Sequence, residues 1–169
     1  AIQGARIAGA RRIVAVDMNE EKLAIAKEFG ATHGVLATAE KPWRASYKAL
    51  GGRGAEAVIV TVGAIPAYED APKYLGRGGK VIMVGMPHSG AMAEFEPVML
   101  AAVGQGMIGS KMGDVVIQRD IPWMVDLYIQ GRLKLDELIS GRWSLDQINE
   151  AIADTKTGSA RRNVIMFDR

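Results

Sequence analysis

Short runs of β-branched residues alternate with helical patterns along most of this chain, and the alternation restricts the folds that it can adopt. The runs predict strands at residues 12–16, 33–36, 57–62, 80–85, 107–111 and 163–167. Helical patterns occupy the segments between them and end at glycines such as Gly30 and Gly158. Strands that alternate with helices form βαβ units, in which the strands are parallel. The sequence therefore predicts an α/β protein built on a parallel sheet.

Two stretches refine this expectation. The run at residues 57–62 is nearly all apolar, which is typical of a strand buried on both faces of a parallel sheet. The glycine-rich stretch at residues 76–79 predicts a turn before the next strand. Asn19 is placed to cap one helix, and Ser144 with Gln147 matches a capping box before another.

Composition excludes several classes of function. The 169 residues carry a net charge of only +2 and no basic run, so we expect no nucleic-acid partner. The absence of cysteine excludes disulfides, a thiolate nucleophile and cysteine-bound zinc within these residues, and it is consistent with the cytoplasm. No apolar run reaches membrane-spanning length, so we expect no membrane contact. Because the chain begins with Ala rather than Met, we expect a fragment of a longer protein.

Asp17 follows the apolar strand run and precedes a helix. A carboxylate at this point of a dinucleotide-binding unit hydrogen-bonds the adenosine ribose, roughly 20 residues after a glycine fingerprint. That fingerprint would fall before Ala1. The alternative is that Asp17 only starts the turn into the next helix, although the strand and helices around it favour the ribose role. Met18 and Asn19 supply no arginine for a 2′-phosphate, which favours NAD over NADP. Lys22 either reaches the same ribose or is solvated.

Gly63 and Gly85 each end a predicted strand. Glycine there allows a ligand to approach the backbone, or it simply ends the strand, and two glycines at one sheet edge favour a site. His33 and His88 lack partners at metal-ligand spacing. We therefore expect no catalytic residue and no metal ligand in this chain.

The chain resembles the C-terminal half of the zinc-type, medium-chain alcohol dehydrogenases. The matching stretches are "AGARRIVAVDMNEEKLAIAKEFGATHGV", "AEAVIVTVGA", "LGRGGKVIMVGMP" and "GRLKLDELISGRWSLDQINEAIADTKTGSARRNVIMF". The resemblance implies a Rossmann-type, doubly wound parallel sheet that lacks its first strand and glycine fingerprint, followed by a C-terminal segment of helices and strands. It implies an NAD-binding domain at residues 1–111 and a segment at residues 112–169 that packs on the catalytic domain.

The same resemblance implies a role for individual residues. Asp17 and Lys22 match the ribose-binding acid and its neighbouring lysine, and Arg162 matches an arginine that contacts the cofactor diphosphate. Val62 and Gly63 match the strand end that lies beside the adenosine and its ribose in the family. Val84, Gly85 and Met86 match the backbone segment beside the nicotinamide. The strand at Met107–Ser110 matches one that pairs with its counterpart across a dimer, so the resemblance implies a homodimer or homotetramer formed through this strand.

The family's zinc ligands, proton-relay residues, glycine fingerprint and first strand belong to a preceding half that this sequence does not contain. That first strand lies between the strands of Val14 and Val58 in the order 3-2-1-4-5-6. Either the chain is part of a longer one, or these two strands close directly on each other. Two unpaired strand edges cost backbone hydrogen bonds, so we expect no autonomous enzyme.

We therefore expect the coenzyme-binding part of an NAD-dependent alcohol dehydrogenase, with zinc only in the absent half and an alcohol or aldehyde as substrate. The alternatives are a non-catalytic nucleotide-binding or association module, a zinc-free relative of the quinone oxidoreductase type, and a methyltransferase-like Rossmann domain. The residues favour no particular alcohol and do not decide between dimer and tetramer.

Overall fold

The computed structural model describes residues 1–167 and divides into two compact units. The first unit is Ala1–Ile117, and the second begins at Gln118. The functional boundary expected after residue 111 stays a prediction. Each unit is described separately below.

The first unit contains five strands and five α-helices in alternation. In chain order they are α1 (Ile2–Ile7), β1 (Val14–Asp17), α2 (Glu20–Glu28), β2 (His33–Leu36), α3 (Pro42–Ala49), β3 (Ala55–Val60), α4 (Ile65–Asp70), β4 (Leu75–Met83), α5 (Pro97–Ala101) and β5 (Gly106–Gly109). Short 3₁₀ turns occupy Ala71–Tyr74 and Met112–Asp114. Asn19 caps α2 as predicted, because its Oδ1 accepts a hydrogen bond of 2.8 Å from the Glu21 amide.

All strand pairs in this unit are parallel, as predicted. β1 pairs with β2, and β4 lies between β3 and β5 in a separate sheet. The alternative that β1 and β3 close on each other is wrong, since they belong to different sheets. Each sheet packs its own core, and α3 contacts both β2 and the 3₁₀ turn before β4. The unit is therefore held together through helices rather than through one continuous ladder.

The two cores share no residue. The first consists of buried apolar residues from β1, α2 and the loops beside them, namely Ile13, Ala15, Leu23, Ala26 and Ala31. The second is built from β3, β4, α4 and the 3₁₀ turn, namely Val60, Tyr68, Ala71, Leu75 and Val81. The second core fixes the ends of β3 and β4, where candidate site residues follow.

Two expectations about this unit were wrong. The strand expected at residues 57–62 is not buried on both faces, because Ile59 is 43% exposed while Val60 is buried. β3 has a neighbour only on the β4 side, which leaves its other edge uncovered. The turn expected at residues 76–79 is part of β4 and produces a register shift opposite Ala55 and Ala57. Gly78 adopts φ +70° there, which glycine tolerates without strain.

The second unit contains two helices and one pair of parallel strands. Its elements are α6 (Ile117–Ile129), β6 (Gly141–Ser144), α7 (Ile148–Thr157) and β7 (Asn163–Met166), with 3₁₀ turns at Asp136–Leu138 and Leu145–Gln147. The predicted capping box forms between Ser144 and Gln147. Gly158 ends α7 in the left-handed conformation. No helix in the described chain is long and apolar enough to cross a membrane.

We predict that Tyr74 makes this fold sensitive to alkali. Burial and, secondarily, the charge of Asp70 raise the pKa of Tyr74 to about 12 from the usual 10.0. The unfolded chain therefore loses this proton first, and the free energy of unfolding falls as the pH rises from about 10 to about 12. Urea unfolding measures the free energy of unfolding at pH 9 and at pH 11. The decrease between these two pH values should be smaller in Tyr74→Phe than in the wild type. Equal losses in the two proteins would contradict this assignment.

Candidate functional site

Asp17 is half-buried at the carboxyl end of β1, the edge at which open parallel sheets bind ligands. Its Oδ1 accepts a hydrogen bond of 3.0 Å from the Asn19 amide. Its second carboxylate oxygen has no hydrogen-bond partner among residues 1–167. One oxygen thus shapes the turn into α2, and the other is available to a ligand, so the two interpretations of this residue are compatible.

Lys22 is exposed in the first turns of α2. Its ammonium group makes no hydrogen bond or ion pair within the part of the chain that the structure describes. It is free to contact a ligand held by Asp17.

Gly63 and Gly85 lie where the loops after β3 and β4 touch each other through their backbones. A Cβ on Gly63 would lie 2.8 Å from the Met86 carbonyl carbon, and a Cβ on Gly85 would lie 2.6 Å from the Val62 nitrogen. Neither separation is possible for a real side chain. The contact between the two loops thus explains both glycines, and their part in binding a ligand stays a prediction.

The loop after β4 is tied to β3 and α4. The amides of Val84 and Gly85 both donate to the Val60 carbonyl, at 3.0 and 2.8 Å. The Tyr68 hydroxyl donates to the Gly85 carbonyl. The Val84 carbonyl and the Met86 amide have no partner in residues 1–167, and the Met86 residue is 90% exposed. This segment therefore presents free backbone donor and acceptor groups from a fixed position.

A shallow pocket of about 380 Å³ adjoins this loop. Its lining is mostly apolar and comes from α4, the end of β4 and the loop that follows, namely Ile65, Tyr68, Met83, Gly85, Met86, Pro87, Ala91 and Ala93. Sequence reasoning missed Tyr68, because a tyrosine on a short helix reads as a core residue. The structure brings together the two predicted loop segments, while Asp17 and Lys22 lie at the end of the other sheet.

Arg162 belongs to the second unit, directly before β7. Its carbonyl accepts from the Ser140 amide at 2.9 Å, and its own amide donates to Ser140 Oγ at 3.3 Å. The guanidinium group is exposed and has no partner among the described residues. The backbone is thus fixed while the charge is free.

The donor set for zinc is not present in the described chain. Residues 1–167 contain no group of three or more His, Cys, Asp or Glu side chains able to hold a metal ion. The chain contains no cysteine at all. The residues present therefore do not fit a zinc site.

The family pattern described as zinc-binding dehydrogenase matches residues 1–130. The chain belongs to this family. It is 36% identical over 167 residues to a geraniol dehydrogenase of Castellaniella defragrans, and the alignment covers 99% of this chain and 44% of that protein. It is 33% identical to an NDMA-dependent alcohol dehydrogenase of Amycolatopsis methanolica, with 98% and 45% covered. The chain thus spans less than half the length of these zinc-binding dehydrogenase relatives.

Solved structures agree with the family assignment. An alcohol dehydrogenase zinc-binding domain protein from Burkholderia ambifaria matches with a TM-score of 0.94 and 34% identity, over 100% of this chain and 45% of that one. Benzyl alcohol dehydrogenase from Acinetobacter calcoaceticus matches with a TM-score of 0.93 and 30% identity, and the match covers 99% of this chain and 46% of that one. The resemblance to the C-terminal half of alcohol dehydrogenases and the predicted fold class are confirmed. The methyltransferase-like alternative is wrong.

We predict that the loop contact tolerates no side chain at Gly85. Gly85→Ala should lower the free energy of unfolding by roughly 1–3 kcal/mol, because the added methyl group overlaps the Val62 backbone. Urea denaturation measures the change. Gly109→Ala is the control, since no atom lies within 4 Å of its added Cβ. A Gly85→Ala protein as stable as the control would show that the loops separate at little cost.

Proposed function

We propose that this chain is the coenzyme-binding part of an NAD-dependent alcohol dehydrogenase. The observation that carries the proposal is the Asp17 carboxylate at the end of β1, with one oxygen committed to the turn and the other free. A carboxylate at this place accepts hydrogen bonds from ribose hydroxyls and repels a 2′-phosphate. Lys22, exposed on α2, is proposed to contact the same ribose.

The remaining coenzyme contacts are proposed for two backbone segments and one arginine. Val62 and Gly63 border the adenosine and its ribose, and Val84–Met86 border the nicotinamide. The free Val84 carbonyl and Met86 amide support this proposal, because a carboxamide both donates and accepts hydrogen bonds. Arg162 is proposed to contact the diphosphate, and its free guanidinium group supports this role.

The cofactor held by these residues would supply hydride-transfer chemistry, with an alcohol carbon as the hydride donor. The residues of this chain would bind and orient that cofactor, and they take no part in bond breaking. Since residues 1–167 contain no group of side chains able to hold zinc, we propose that the metal and the alcohol or aldehyde pocket belong to the half that the longer relatives possess. Because of this division, we propose that the isolated chain is inactive. We also propose that the protein is cytoplasmic.

We propose further that residues 1–111 form the NAD-binding domain and that residues 112–169 pack on a catalytic domain. An apolar groove of about 330 Å³ along α6 supports this second role. Its lining comes from α6 and the segment after it, namely Ile121, Met124, Val125, Tyr128, Leu133 and Leu135. An apolar groove of this kind is typical of a surface that another domain covers.

We expect the isolated chain to bind NAD more tightly than NADP. Asp17→Ala should weaken NAD binding about tenfold or more and narrow the difference between the two cofactors, because hydrogen bonds to a charged acceptor contribute roughly 1.5–3 kcal/mol. Calorimetric titration measures both affinities, with a thermal melt to establish that each protein is folded. Glu21→Ala, an exposed carboxylate one turn away, is the control. A folded chain that binds neither cofactor, or an Asp17→Ala protein that binds as well as the wild type, would refute the proposal.

We also expect a homodimer, alone or within a tetramer, that forms through the strand at Met107–Ser110. β5 lies at the end of its sheet with one edge unpaired, and Ile108 on it is 49% exposed. Ile108→Lys should shift the chain to monomer in sedimentation equilibrium, since the charge would be buried in the new ladder. Val98→Lys, at an exposed apolar position on α5, should leave the association unchanged. A wild-type chain that is monomeric at high concentration would exclude this interface.

A further inference from the structure

Tyr68 connects the core beneath β3 and β4 with the loop after β4. It lies on α4 and is only 6% exposed, packed with Val60, Ala71, Leu75 and Val81. A buried tyrosine ring has few rotamers open to it, so the position of its hydroxyl group is set by the core. The core therefore decides where this hydrogen-bond donor lies.

The hydroxyl of Tyr68 donates to the Gly85 carbonyl, and the Gly85 amide donates to the Val60 carbonyl at 2.8 Å. Both polar groups of this residue are thus bonded to the protein. On its remaining side, the Cα of Gly85 lies against the Val62 backbone, where no Cβ would fit. Gly85 is thus restrained by three groups, the Tyr68 hydroxyl, the Val60 carbonyl and the Val62 backbone. Of these three, only the Tyr68 hydroxyl belongs to a side chain.

The Val84 carbonyl and the Met86 amide lie on either side of Gly85, and neither has a hydrogen-bond partner among residues 1–167. Their spacing and direction follow from the orientation of the Gly85 peptide groups between them. If the Gly85 carbonyl were released, the Gly85–Met86 peptide could rotate, and the Met86 amide would turn with it. Such a rotation costs ligand affinity because the groups must then be ordered on binding.

We propose that Tyr68 is a positioning residue for the nicotinamide side of the coenzyme site, acting through the Gly85 carbonyl without contacting the cofactor. The proposal rests on the function proposed above and adds to it a residue that holds the recognition groups in place. By donating to the Gly85 carbonyl, Tyr68 prevents this carbonyl from accepting a hydrogen bond from water or from the cofactor. Only the flanking Val84 carbonyl and Met86 amide then face the cofactor. Asp17, which is proposed to recognise the adenosine ribose, lies on the separate sheet of β1 and β2 and has no connection to this bond.

The test compares two tyrosines that make the same type of bond. Tyr68→Phe removes the bond to Gly85, and Tyr47→Phe removes a hydrogen bond of 2.6 Å from Tyr47 to the Leu75 carbonyl, at the amino end of β4. NADH affinity is read from nicotinamide fluorescence, and AMP affinity from calorimetry. We expect Tyr68→Phe to weaken NADH binding about 3- to 10-fold and to weaken AMP binding clearly less, because Asp17 lies on the other sheet. Tyr47→Phe should change neither affinity.

Three results would decide against the proposal or separate it from the proposed function. Unchanged NADH affinity in Tyr68→Phe, or an equal loss for AMP, would overturn it, because a general loss of structure affects both ligands. If the wild type binds no NADH, the proposed function fails, and hydrogen exchange then decides the role of Tyr68. Exchange of the amides of residues 84–86 that accelerates in Tyr68→Phe but not in Tyr47→Phe would support positioning. Unchanged exchange there would overturn it.

Discussion

The backbone contact between the loops after β3 and β4 is the constraint on which the candidate site depends. Paired strands run about 4.8 Å apart, so two loops that continue in the same direction have little room between them. At Gly63 and Gly85 even a methyl group would overlap the neighbouring backbone. The loops are therefore locked together, and any group that one of them presents has a position set by the other.

This constraint explains why so much of the site consists of backbone rather than side chains. The two loops cannot carry large inward side chains where they touch, and the groups left to meet a ligand are carbonyls and amides. Hydrogen bonds from the amides of Val84 and Gly85 to one carbonyl of Val60 continue the order of the sheet into the loop. Tyr68 then anchors the loop to the core. A preorganised backbone site of this kind loses little entropy when it binds.

Much of this arrangement could be predicted from residue types. The strand-helix alternation gave parallel pairing, and Asn19 gave the start of α2, because both depend on local chemistry. Gly63 and Gly85 were expected to end their strands, and they lie three and two residues beyond the ends of β3 and β4. The contact between them was not expected, since it joins segments more than twenty residues apart. Tyr68 was missed because a tyrosine on a short helix is typical of a core residue, and nothing at its own position signals the bond to Gly85. The burial of residues 57–62 was overestimated because hydrophobicity does not reveal how many neighbours a strand has.

The two parts of the proposed coenzyme site lie on two different sheets of the first unit. The carboxylate of Asp17 belongs to the sheet of β1 and β2, and the free backbone groups belong to the sheet of β3, β4 and β5. Each sheet has its own core, so each retains its part of the site independently of the other. A ligand that binds both Asp17 and the backbone groups gains affinity from having its two parts linked only when the spacing between the two sheets matches the ligand. Dinucleotides should therefore be more sensitive than mononucleotides to whatever fixes that spacing, and the unpaired edges of β1 and β3 are where a further strand would fix it.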